Sequence, residues 1–260
     1  YNIVAAMLVI NIDYLILGKF FSSSQLGYYA FSYNVMYAPV KKISHVFNEV
    51  LFPALSKIQD EKDKMIRGYF KSIELISMVS FPAMTLISLN ADGLIPFVFG
   101  EQWTGAISIL TILCFAGAIQ SVSELGSVIF NSLGKPEIDA YFGIFRTILT
   151  VVAISLGAYF GFETVAWFLF ISKALTFIGI LVVIYWLQSF SLLWLISSMI
   201  KPLVLVLILL GLGSMFSMFS ENWMVQLVVT TLVAFFYTYF LNSKLIKQLL
   251  SLALKKKEAV

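Results

Sequence analysis

Residues 140–187 read AYFGIFRTILTVVAISLGAYFGFETVAWFLFISKALTFIGILVVIYWL. Two apolar runs, 140–160 and 163–185, follow one another with only a Gly-Phe step between them. About 20 apolar residues are needed for a helix to cross the hydrocarbon core, and each run meets that length. Strict alternation of apolar and polar residues, the mark of a membrane β-barrel, is absent. Lipid offers the backbone no hydrogen-bond partners, so the pair reads as two transmembrane helices in a tight hairpin.

The same pattern extends outward. Six further runs lie at 1–18, 27–51, 72–91, 105–130, 200–219 and 223–241, and together they predict eight spans. Composition agrees: 60% of residues are hydrophobic and 12% charged, with 24 Phe and a mean hydropathy of +0.93, whereas a soluble domain carries about 25% charged residues. The connections 19–26, 92–104, 131–139 and 220–222 read as turns. Segment 53–71, PALSKIQDEKDKMIRGYFK, reads as a juxtamembrane helix or loop. Segment 186–199, WLQSFSLLWLISSM, reads as interfacial, with its Trp residues at headgroup depth. The expected architecture is an all-α polytopic bundle.

Alternating the connections between two sides places Lys57, Lys62, Lys64, Arg67, Lys71, Lys135, Lys201, Lys244, Lys247 and Lys255 to Lys257 together, against Lys19 alone. Positive residues favour the cytoplasm, which predicts a cytoplasmic C-terminus. The sequence starts with Tyr1 inside an apolar run, and residues upstream of it are expected.

Several chemistries find no support. One Cys, Cys114, and one His, His45, cannot build a zinc or iron–sulfur site. The P-loop, GxSxG and HExxH patterns are absent. The basic residues are accounted for by topology and predict no nucleic-acid partner.

Polar residues within spans are costly and therefore informative. In the second span Asn34, Lys41, His45 and Asn48 project onto one helical face, with Tyr37 at its edge and Pro39 as a candidate kink or break. Gln120, Glu124, Ser127 and Asn131 share a face in the fourth span, as do Asp139, Arg146 and Thr150 in the fifth. Lys173 stands mid-span in the sixth, near Thr176, where snorkelling cannot reach headgroups. Asp13 in the first span could hold a cation, relay a proton or pair with a lysine. Lys41, Arg146 and Lys173 suggest an anionic substrate. Neutralisation by Asp13, Glu124 and Asp139 is the competing reading.

Four blocks carry a resemblance: NIDYLILGKFFSSSQLGYYAFSYNVMYAPV at 11–40, LFPALSKIQDEKDK at 51–64, VFGEQW at 98–103 and NSLGKPEIDA at 131–140. The chain resembles the C-terminal part of the polysaccharide flippases of the multidrug/oligosaccharidyl-lipid/polysaccharide exporter superfamily, in the lipopolysaccharide, colanic acid and teichuronic acid exporter group. The resemblance implies the second lobe of a fourteen-helix, alternating-access flippase. Residues 1–185 would form the six-helix lobe. Residues 186–260 would form the interfacial segment, two added helices and a basic cytoplasmic tail.

It further implies a bacterial cytoplasmic membrane, a polyprenyl-pyrophosphate-linked oligosaccharide as substrate, and an N-terminal lobe as partner beside polymerase and assembly machinery. Transport would proceed without ATP hydrolysis or a cofactor, driven by a proton or sodium gradient. A multidrug exporter and a membrane-embedded polymerase or glycosyltransferase are the rival readings.

Overall fold

The computed structural model describes the backbone of residues 12–188, 190–219 and 222–258, with side chains at 46, 217–219 and 241–258 left aside. Most of the first predicted span, including Asn2, and the side chains of the basic tail lie outside the described residues.

Helices dominate throughout. They run α1 Ile12–Phe20, α2 Ser23–Ser56, α3 Lys62–Leu89, α4 Ala91–Phe99, a 3₁₀ segment Glu101–Ala106, α5 Ile107–Ser123, α6 Leu125–Ser132, α7 Pro136–Phe160, α8 Phe162–Gln188, α9 Leu192–Phe219 and α10 Trp223–Glu258. By length and composition, six stretches among the described residues can cross a membrane: α3, the stretch 101–132, α7, α8, α9 up to Phe216 and α10 up to Phe240. α2 is not among them, although its 34 residues are ample in length. Its polar face dilutes its hydropathy.

Local signals explain the boundaries. Ser22 caps α2: its Oγ accepts from the Gln25 amide at 3.3 Å while Gln25 Oε1 accepts from the Ser22 amide at 3.1 Å. Gly134 closes α6 with φ of 68°, which a residue lacking Cβ adopts freely. Pro136 then opens α7, where its missing N–H is harmless.

Two expectations change. Pro39 does not end α2, which runs unbroken through both Pro39 and Pro53. The interruption falls instead at Glu124, between α5 and α6. The segment 92–104 is no simple turn, because most of it is helical in α4 and the 3₁₀ segment. Pro96 remains inside α4. Segments 53–71 and 186–199 are also largely helical, extending α2, α3, α8 and α9 past their apolar runs.

α5 lies at the centre, packed by α2, α3 and α8, and α7 leans on α8. Its Leu110, Leu113, Cys114 and Val122 are buried, and the small Gly117 admits the Met36 side chain from α2. The pair α9–α10 docks on α3 through Leu205, Leu209 and Ala234, packed against Leu86 and Leu89. The flank that α7 turns away from its neighbours exposes Tyr141, Ile144, Ile148 and Tyr159, as a lipid-facing surface should.

Candidate functional site

A half-open cavity of about 450 Å³ is enclosed by six helices. α1 contributes Asp13, α2 contributes Tyr33, Tyr37 and Asn48, and the α5–α6 break contributes Gln120, Ser123, Glu124 and Ser127. α7 adds Arg146, Thr147 and Thr150, and α8 adds Lys173 and Thr176. The threonine hydroxyls of 147, 150 and 176 donate to carbonyls one turn back, on Gly143, Arg146 and Ser172. Each can still accept.

Two carboxylates and two bases therefore share one polar space. Among the described residues, no ion pair within 4 Å joins Asp13 or Glu124 to Arg146 or Lys173. Glu124 instead accepts from Gln120 Nε2 at 3.4 Å. Asp13, in the first turn of α1, accepts from the Tyr14 amide at 3.0 Å and from the Tyr29 hydroxyl at 3.4 Å. Lys173 is only 8% exposed. An ammonium taken into a membrane bundle is costly, and here no carboxylate touches it. Asn48 Oδ1 and Gln120 Oε1 are buried acceptors without a hydrogen-bond donor.

The sequence-predicted residues divide into two groups. Asp13, Asn48, Glu124, Arg146 and Lys173 all reach the cavity. Asn34, Lys41 and His45 do not; they lie on an exposed flank of α2. Asn34 Nδ2 donates to the Ala30 carbonyl at 2.8 Å, and His45 meets Glu49 at 3.3 Å. The α2 stripe thus splits at its two ends. Asp139 is committed elsewhere, accepting from Ser127 Oγ at 2.7 Å and Asn131 Nδ2 at 3.0 Å, which ties α7 to α6.

Two features escaped the sequence reading. Tyr29, Tyr33 and Tyr37 stack along α2 with centroids 6.0 and 5.9 Å apart, and Tyr14 joins the column at 6.0 Å. The i, i+4 spacing of the three tyrosines was the available signal. The second is Glu74 on α3, buried between Lys71 at 2.5 Å and Lys201 of α9 at 2.8 Å. A carboxylate three residues past a lysine at a span boundary was its trace.

Residues 1–108 match the family model described as "Polysaccharide biosynthesis protein". The lipopolysaccharide biosynthesis protein WzxC of Escherichia coli K12 is 31% identical over 147 residues, 56% of this chain and 30% of that protein. Over these stretches the chain is similar to proteins of polysaccharide biosynthesis and export. The teichuronic acid biosynthesis protein TuaB of Bacillus subtilis is 28% identical over 65% of this chain and 35% of its own length. The succinoglycan biosynthesis transport protein ExoT of Rhizobium meliloti is 22% identical over 94% and 51%. The chain therefore spans no more than about half the length of these curated relatives.

In structure, the chain matches the lipid II flippase MurJ in an inward closed conformation, with a TM-score of 0.71 at 14% identity, over 93% of this chain and 53% of that one. At that identity the likeness is one of fold. Among the described residues the protein is an all-α, multi-pass membrane bundle whose fold matches that of MurJ.

Proposed function

We propose that this chain is the second lobe, with two terminal helices, of a fourteen-helix flippase for polyprenyl-pyrophosphate-linked oligosaccharide repeat units. It is a transporter part rather than an enzyme. Its membrane is the bacterial cytoplasmic membrane, with the C-terminus inside. The carrying observation is Lys173, buried on the wall of a membrane cavity with, among the described residues, no carboxylate within 4 Å. Together with Arg146 it offers hydrogen-bond donors to a phosphate or an acidic sugar. Unsatisfied acceptors on Asn48 and Gln120 suit glycan hydroxyls.

In this reading the apolar tail stays in lipid while alternating access carries the headgroup across. Asn34, Lys41 and His45 face an N-terminal lobe that completes the chamber. The matched half-length of MurJ and ExoT supports such a partner lobe. Asp13, held by Tyr29 on the cavity wall, is the candidate for coupling to a proton or sodium gradient.

The test is headgroup translocation by the full-length protein in proteoliposomes, using a fluorescent pyrophosphate-linked oligosaccharide and an external hydrolase. Wild type exposes the substrate to the hydrolase. Lys173→Met lowers the rate at least about tenfold, the equivalent of one lost charged contact. Equal rates in wild type and Lys173→Met, or preferential movement of a cationic drug, would overturn the assignment.

A further inference from the structure

The buried carboxylate of Glu74 points to a second binding function, away from the cavity. Arg67, Lys71 and Glu74 follow one another at i, i+4 and i+7 and so share a face of α3. Trp194, Ser198 and Lys201 repeat that spacing on α9. The two stripes meet. The Arg67 guanidinium lies 5.4 Å from the Trp194 ring centroid, and Glu74 accepts from Lys71 and Lys201 together. The Tyr237 hydroxyl of α10 donates to the Lys201 carbonyl at 3.1 Å, which fixes the backbone from which that lysine projects.

Charge does not balance along this seam. Two of its three cations, Lys71 and Lys201, hold one carboxylate that is only 6% exposed, the third, Arg67, lies against Trp194, and among the described residues no second acid lies within 4 Å of them. Lys71 and Lys201 keep 43% and 39% of their side chains exposed, so both still reach outward.

Depth identifies the ligand. Lys71 and Lys201 each stand about 18 residues, or about 27 Å of helix, from the far end of α3 and α9. The hydrocarbon core is about 30 Å thick. Both ammonium groups therefore sit at one hydrocarbon boundary, at the level of lipid phosphates, with Trp194 at interfacial depth beside them. Basic pockets between transmembrane helices suit anionic headgroups.

We propose that the α3–α9 seam formed by Arg67, Lys71, Lys201 and Trp194 binds the phosphate of an anionic phospholipid headgroup. Glu74 orders the two lysines and cancels one of the three positive charges. The acyl chains lie in the bilayer beside α3 and α9, so that one lipid bridges the terminal helix pair and the lobe.

The full-length protein in nanodiscs of phosphatidylcholine, with or without phosphatidylglycerol, tests this by native mass spectrometry and thermal melting. Wild type retains phosphatidylglycerol preferentially and melts higher in its presence. Arg67→Gln cuts that retention about fivefold while lowering the melt in pure phosphatidylcholine only slightly, because Arg67 takes no part in the Glu74 pairs and gives up only its contact with Trp194. Arg67→Lys restores most of the retention. Glu74→Gln raises retention, since it removes the competing carboxylate. Equal retention of both lipids overturns the proposal, as does wild-type retention by Arg67→Gln. Stabilisation by inorganic phosphate equal to that by phosphatidylglycerol overturns the lipid assignment. Repeat-unit flipping is not part of this readout, so the site stands or falls independently of the transport reading.

Discussion

A lysine in mid-membrane is a thermodynamic liability. Lys173 pays for desolvation without a direct ion pair, and its only evident return is what it does in the cavity. We expect Lys173→Met to raise the resistance of the protein to unfolding in a detergent titration while transport falls. Such opposed signs mark a residue kept for function at the expense of stability. A simple structural lysine would lose both together. Asp13 makes a different prediction. Asp13→Asn keeps the amide contact to Tyr14 and the reach to Tyr29, so folding is preserved. If Asp13 is the coupling group, transport by the variant no longer responds to an imposed proton or sodium gradient. An unaltered response in the same flux assay would remove Asp13 from that role.

The hairpin between α7 and α8 shows how closely two elements can approach. A Cβ added to Gly157 would stand 2.6 Å from the Val165 Cα, a backbone atom that cannot yield. Thr164 Oγ1 donates to the carbonyls of Gly157 and Gly161 at 2.8 and 2.6 Å and closes the turn. Gly157→Val should destabilise by about 1–3 kcal/mol, read from an unfolding titration. Gly143, on the same helix, meets nothing within 4 Å. Gly143→Ala should therefore be neutral or stabilise by up to about 1 kcal/mol through helix propensity.

The elements were also where the sequence was most readable. Long apolar runs marked the helices because length and hydropathy are local properties. Gln120, Glu124, Arg146 and Lys173, from the polar faces of α5 to α8, meet at the cavity, since in a bundle surrounded by lipid such faces have nowhere else to go. The α2 stripe divides for a related reason. Helical projection groups Asn34, Lys41, His45 and Asn48, but it cannot say which neighbour covers the helix at each height. The neighbours at the Asn48 end close over it, and those near Lys41 leave that flank open. The Glu124 break had no proline to announce it, and α4 was too short and too interrupted by Pro96 to stand out.

At the scale of the molecule, the bundle has a core lobe and an appended helix pair that grips it at two heights. Near one boundary the grip is ionic, through Glu74 and Lys201. Near the other, Trp223 of α10 fills the space beside Gly93, and Gln226 Nε2 donates to the Leu89 carbonyl at 3.1 Å. Gly93→Val would push the indole away, and limited proteolysis should then cut the 190–191 and 220–222 connections faster. The open flank of α2 bears on assembly. Cysteines placed at Lys41 and His45 should cross-link to the upstream portion of the full-length protein under mild oxidation. Labelling of both positions by lipid-soluble reagents alone would show instead that the flank faces the bilayer.

α2 is also a lever. At 34 residues it measures about 51 Å, roughly 20 Å more than the hydrocarbon core is thick. It passes both its prolines without interruption. Pivoted near its capped start at Ser22, a tilt of about 10° sweeps its far end through about 9 Å, some six residues' worth of helical rise. Tyr37 and Asn48, which line the cavity, lie partway along that arm and move by about 4 and 7 Å. A small rocking at one membrane face is thereby geared into a large excursion at the other, and pairs of spin labels near Ser22 and Ser56 would register it as unequal distance changes.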